Sequence, residues 1–141
     1  MLGSYPRRWQ GTFDLLGFTH YWGRSMRGNW VVRWKTARDR FSRGLRAINQ
    51  WCRIHRHQKI AVQRAALDKK LKGHYAYYGI TGNYAALLSF YKGVQRSWRK
   101  WLSRRSQKAY ISWPKFHRLL ERHPLPQPVL VHSVLRYAAK R

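Results

Sequence analysis

Thirty lysine and arginine side chains share this 141-residue chain with four carboxylates, Asp14, Asp39, Asp68 and Glu121, which leaves a formal charge of +26 at neutral pH. Self-repulsion of that size opposes every compact arrangement unless a polyanion relieves it. The fold must therefore draw its stability from apolar packing, and hydrophobic residues make up 44% of the chain, enough for one domain with a real core. Nucleic acid is the commonest partner of such a chain, because each neutralised phosphate releases condensed counterions. An anionic membrane surface is the rival. Eight Trp, nine Tyr and five Phe exclude a disordered basic tail, which is poor in aromatics.

Cys52 is the only cysteine, so no intramolecular disulfide can form, and a reducing, cytoplasmic setting fits. The first ten residues carry Arg7 and Arg8 with no apolar run behind them, and no stretch approaches the roughly 18 apolar residues of a membrane span. Neither a signal peptide nor a membrane anchor is expected.

Along the chain, β-rich patterns run from Phe13 to Trp22 and from Asn29 to Trp34, separated by a loop containing Gly and Arg, and predict a hairpin or small sheet. Thr36 with Asp39 has the spacing of a capping box. Behind it Ala37, Phe41, Leu45, Ile48 and Cys52 recur at helical spacing, predicting a first helix from about Ala37 to about His55. Its opposite face carries Arg38, Arg46, Arg53 and Arg56. A second helix, about Ile60 to Tyr78, places Leu67, Leu71, Tyr75 and Tyr78 on one stripe, with Gly79 to stop it. Asn83 is placed to N-cap a third helix reaching about Arg104, with Tyr84, Leu87, Leu88, Tyr91, Val94, Trp98 and Trp101 or Leu102 inward. On that helix Lys92, Arg96, Arg99 and Lys100 form one cationic ridge about 12 Å long, suited to following a phosphate backbone. Ser112 caps a short fourth helix with Trp113, Phe116, Leu119 and Leu120 inward, and Pro124, Pro126 and Pro128 end regular structure. The expected class is mainly α: a short N-terminal β-hairpin in 1–34, a bundle of three to four helices in 35–123, and a basic Pro-containing tail in 124–141. No internal repeat is visible.

Catalysis is hard to assemble from these residues. Acid–base and two-metal chemistry need carboxylates brought together, and the four here are scattered. Cys52, His55 and His57 suggest zinc only superficially, because a structural site takes four ligands and its thiolates come in pairs. No nucleophile–histidine–acid set or phosphate-binding glycine loop is recognisable. No catalytic residue, metal, cofactor or small-molecule substrate is therefore expected. The remaining signal is basic and aromatic interleaving. Tyr75, Tyr78, Trp98 and Trp101 lie on apolar stripes and read mostly as core, whereas Tyr77, off its stripe, and His74 are the better base-stacking candidates.

Two of these stretches, Leu71-Lys72-Gly73-His74-Tyr75-Ala76-Tyr77-Tyr78-Gly79-Ile80-Thr81-Gly82-Asn83 and Trp98-Arg99-Lys100-Trp101-Leu102-Ser103-Arg104-Arg105-Ser106-Gln107, resemble the maturase-specific region of group II intron reverse transcriptases. Phe13 to Gly23 is similar to the segment closing the polymerase palm, Gly28 to Val32 to the strand that follows, and Lys35-Thr36-Ala37 to the opening of the thumb-like helical domain. The resemblance covers about residues 12–133. It implies a thumb-like bundle that grips intron RNA and assists its folding and splicing while the RNA supplies the catalytic site. The aspartate pair of the polymerase is absent from the chain, so no polymerase activity is expected of it. Group II intron RNA is the implied partner, and a separate reverse transcriptase fragment is a second candidate. The expected RNA contacts are Arg38, Arg46, Arg53, Lys69, Lys72, His74, Tyr77, Arg96, Arg99, Lys100, Arg104 and Arg105. The alternative is a non-specific nucleic-acid-binding remnant of a mobile element.

Overall fold

The computed structural model describes residues 13–130. It opens on a three-stranded antiparallel sheet in the order β1 (Phe13–Leu15), β2 (Phe18–Arg24), β3 (Trp30–Thr36). The run from Phe13 to Trp22, continuous in its sequence pattern, is broken in the structure. Leu16 and Gly17 take positive φ angles of 55° and 85° between the paired Leu15 and Phe18, so the chain reverses in two residues. Positive φ at both central positions is the geometry of a type I′ hairpin turn. The wider β2–β3 turn closes through Ser25, whose backbone N–H donates to the Asn29 carbonyl and whose own carbonyl accepts from Gly28.

Four helices follow: α1 (Arg38–Ile54), α2 (Ile60–Tyr78), α3 (Tyr84–Leu102) and α4 (Trp113–Arg122). The chain is thus mainly helical with an antiparallel β element in front, and α2 has the expected bounds. One core unites the helices. Ile48 and Cys52 of α1, Leu67, Leu71 and Tyr75 of α2, Leu87, Phe90, Val94, Trp98 and Leu102 of α3, and Phe116 of α4 are buried together with Ile111 and Leu125. Full burial of one such side chain stabilises by about 1.5–3 kcal/mol. Glycines let α1 and α3 approach closely: a Cβ on Gly93 would lie 2.7 Å from Leu45 Cδ2, and one on Gly44 would lie 3.0 Å from Phe90 Cε2. Gln63 of α2 is also wholly buried, as is Asn83 in the α2–α3 turn.

Two expected caps serve other purposes. Ala37, not Thr36, occupies the N-cap of α1, and no side chain caps that helix. Thr36 ends β3 and is buried, because Asn83, 47 residues away, binds it twice: Asn83 Oδ1 accepts from the Thr36 backbone N–H at 2.9 Å, and Asn83 Nδ2 donates to Thr36 Oγ1 at 2.8 Å. The same Nδ2 donates to the Tyr78 carbonyl at 2.8 Å. Asn83 stands at the N-cap position of α3 but makes no side-chain capping bond, its carboxamide being spent on the sheet and on α2. Phe18 reinforces this junction by packing against Tyr77 and Tyr78. Ser112 does cap α4, accepting from the Lys115 N–H. Gly79 ends α2 without left-handed geometry (φ −79°), which appears instead at Gly82 (φ 92°).

Helix α3 stops at Leu102, short of Arg104. Beyond α4 the proline segment does not leave the body: Leu125 and Pro128 are buried, and Tyr75 donates its hydroxyl to the Pro126 carbonyl at 2.9 Å. The rest of the tail, and Arg7 and Arg8, lie outside the described residues. Among the described residues no helix is long and apolar enough to cross a membrane.

Candidate nucleic-acid interface

Trp101 lies on the last turn of α3, half-buried, and its indole N–H donates to Asn49 Oδ1 of α1 at 2.9 Å, which fixes the ring plane between the two helices. Four cations converge on that ring. Lys100 Nζ stands 5.0 Å from the centroid, Arg104 Cζ 5.3 Å, Arg56 Cζ 5.8 Å and Arg53 Cζ 6.0 Å. Each gains a cation–π attraction of about 0.5–1 kcal/mol at an exposed site. Any two of the four lie within about 12 Å of each other, and those closer than the Debye length of about 8 Å at physiological salt repel with incomplete screening.

None of the four pairs with a carboxylate among the described residues. Asp68 is committed to Lys72 at 3.0 Å and Arg64 at 3.8 Å, and Asp14 accepts from the Thr19 hydroxyl. Arg56 donates through Nη1 to the Arg53 carbonyl at 2.8 Å, while its buried Nε–H has no hydrogen-bond partner. A positive cluster held on an aromatic plate favours an incoming anion.

The platform beneath the cluster is hydrogen-bonded through the core. Gln63 Nε2 donates to the Gln58 carbonyl at 2.7 Å and to the Arg56 carbonyl at 3.3 Å, and its Oε1 accepts from Trp98 Nε1 at 3.0 Å. Arg105 Nη2 donates to the same Gln58 carbonyl at 3.3 Å. The α1–α2 loop is thereby tied to both neighbouring helices. Beside it Trp51 stacks on His55 with centroids 4.5 Å apart, and Lys70 stands 5.6 Å from the Trp51 centroid.

The expected contacts are distributed unevenly. Arg53, Lys100 and Arg104 meet at Trp101, and Arg105 adjoins them through the loop. Arg46, Lys69 and Arg96 are exposed on α1, α2 and α3, and Lys72 is exposed beside Asp68. Arg38 lies at the sheet junction, lining a cleft with Asp14, Lys35 and Phe41. The ridge expected on α3 is split. Arg99 turns towards α4, donating to the Ile111 carbonyl at 2.9 Å with its guanidinium 4.5 Å from the Trp113 centroid, while Lys100 stands over Trp101.

The two stacking candidates are both occupied. His74 is turned inward, its ring parallel to Phe90 with centroids 3.7 Å apart, because position 74 falls between the buried Leu71 and the half-buried Tyr78 of the same helix face. Burial lowers its pKa to about 4, so the ring is neutral at physiological pH. Tyr77 remains exposed but stacks on Phe18 and donates its hydroxyl to the Leu16 carbonyl at 2.6 Å, linking α2 to the β1–β2 turn. Arg56 and Trp101 are the site members that sequence reasoning left out. The sequence places Arg56 on the cationic face of the first helix with Arg53, and sets Trp101 in a stretch of interleaved basic and aromatic residues, but its stripe position reads as core.

The described residues form no group of three or more His, Cys, Asp or Glu side chains able to hold a metal ion. The chain matches no protein-family model, no curated protein and no solved structure.

Proposed function

We propose that this chain is an RNA-binding module that acts by stabilising a folded RNA rather than by catalysis. The observation that carries the reading is the convergence of Arg53, Arg56, Lys100 and Arg104 on Trp101 with no carboxylate partner among the described residues. Phosphates relieve that repulsion, and the indole offers a stacking surface to an unpaired base. Combined with the resemblance of Leu71 to Asn83 and of Trp98 to Gln107 to maturase sequences, the RNA proposed is a group II intron. The proposed role is assistance to the intron's own folding and splicing, in the cytoplasm and with no chemistry contributed by this chain.

The test is binding of the purified chain to a group II intron RNA, titrated against excess unrelated structured RNA over a range of salt. A preference of a hundredfold or more, about 2.7 kcal/mol, is expected. The triple substitution Arg53→Gln, Lys100→Gln, Arg104→Gln should lower the salt slope by about 2 to 3, at 0.7–0.9 for each phosphate no longer neutralised. Equal affinity for all RNAs would replace this reading with that of a non-specific nucleic-acid binder. An unchanged slope would remove the Trp101 cluster from the interface.

A further inference from the structure

A second basic surface, lined by none of the residues that converge on Trp101, lies where the first turn of α2 faces α4. Ile60, Ile111 and Leu119 make an apolar floor there, and Lys115, Arg118, Arg122 and His123 stand around it, enclosing a cavity of about 290 Å³. Leu119 shares one face of α4 with Lys115, Arg118 and Arg122, which follow at helical intervals, so one helix supplies both apolar wall and cationic rim. Among the described residues no carboxylate lines the cavity.

The floor is held in place before any ligand arrives. The Ile111 backbone N–H donates to Ser103 Oγ at 3.0 Å, and the Ile111 carbonyl accepts from Arg99 Nη1 at 2.9 Å. Ser112 caps α4 one residue later. A site fixed in this way loses little conformational entropy on binding.

We propose that this cavity receives one unstacked nucleotide of a single-stranded RNA segment, with the base against Ile60, Ile111 and Leu119 and its phosphate among Lys115, Arg118 and Arg122. The occupant is selected by its chemistry. It must pair a flat, largely apolar body with an anionic group beside it, because the floor offers no charge and the rim only positive charge. The volume lies at the lower edge of the roughly 300–1,000 Å³ range of small-ligand pockets, so one ring system fits and a stacked pair does not. An extended peptide without acidic side chains would leave the rim cations unmatched. The inference rests on the RNA-binding reading, and adds to it a base-dependent contact that the Trp101 cluster does not require.

The test uses the full chain labelled with ¹³C at isoleucine methyls and titrated with an eight-nucleotide single-stranded RNA, the same strand with one central abasic position, a nucleoside monophosphate, and inorganic phosphate. The intact strand should shift the Ile60 and Ile111 methyls and bind at least tenfold more tightly than the abasic strand. Arg118→Gln with Arg122→Gln, both exposed on α4, should abolish that difference while leaving the methyl spectrum of the free protein unchanged. Equal binding of the intact and abasic strands would overturn the pocket and leave the RNA reading standing. Loss of binding to both strands would sink the two together. A free monophosphate matching the intact strand, or phosphate alone shifting the methyls equally, would overturn the assignment to a strand.

Discussion

Substituting Gln63 by leucine removes a carboxamide that is wholly buried and uses both of its ends. The first loss is the acceptor for Trp98 Nε1–H, which sits in the core with no route to water. An orphaned buried donor costs about 1–3 kcal/mol. The second loss is the donor to the α1–α2 loop. The Gln58 carbonyl still accepts from Arg105 and is not orphaned, but the Arg56 carbonyl loses its bond, adding about 0.5–1.5 kcal/mol. Leucine is close in volume, so no large cavity term arises and the expected total is about 2–4 kcal/mol. Urea unfolding should show the midpoint falling with an unchanged slope. The Trp98→Phe substitution removes the orphaned N–H, so in a double-mutant cycle Gln63→Leu should cost about 1–3 kcal/mol less on the Trp98→Phe background. A single-mutant cost below about 1 kcal/mol, or additivity across the cycle, would refute the claim that this pair is what holds the loop. RNA affinity should fall with the same substitution, because the loop carries Arg56 to Trp101.

Asn83→Ala should destabilise by about 2–3 kcal/mol and raise hydrogen exchange at the Thr36 amide far more than at core amides of α3, since that N–H loses its buried acceptor. A histidine whose pKa is lowered by burial stabilises the fold fully above its unfolded value near 6.5 and loses that contribution as pH falls towards about 4. For His74, discounted for partial exposure, the loss is about 1–2 kcal/mol, and His74→Phe should flatten the wild-type decline in urea midpoint between pH 7 and pH 4.5. Burial pushes the Cys52 thiol up to about 12 against an ordinary 9.0, so at pH 8 its alkylation should run about a thousandfold slower than in the unfolded chain, and a fast native reaction would contradict its place in the core.

Local patterns were sufficient for much of the fold. The stripe Leu67, Leu71, Tyr75 is buried as its spacing requires, α2 spans the residues its periodicity marked, and Ser112 caps where a serine before a Pro-containing first turn should. The misplaced residues are those whose partners are distant in the chain. Thr36 and Asn83 both have capping chemistry, and nothing between neighbours in sequence reveals that each is satisfied by the other. Gln63 lies one helical step before Leu67 on the buried stripe, yet a glutamine there reads as a break in the stripe until Trp98 is brought against it. The candidate interface was half legible for the same reason. Charge named the class of surface, but only the packing of α1 on α3 gathers Arg53 and Arg56 with Lys100 and Arg104, and only side-chain direction separates Arg99 from its neighbour Lys100.

The glycines at 44 and 93 give that packing a further meaning. At these positions α1 and α3 approach closely, and the charged ends of both helices extend from there, Lys100 two turns beyond Gly93 on α3 and Arg53 further along α1. The gap between the two sets of cations is therefore gauged at a point that carries no charge and meets no ligand, as the opening of callipers is set at the pivot. A single methyl group at Gly93 must move Leu45 or spread the helices, and spreading them changes the distance between the two sets of cations while the sequence keeps every basic residue. Under the RNA-binding function proposed above, discrimination among RNAs of equal charge would reside in the absence of a methyl group, in residues that a search for basic surface would pass over.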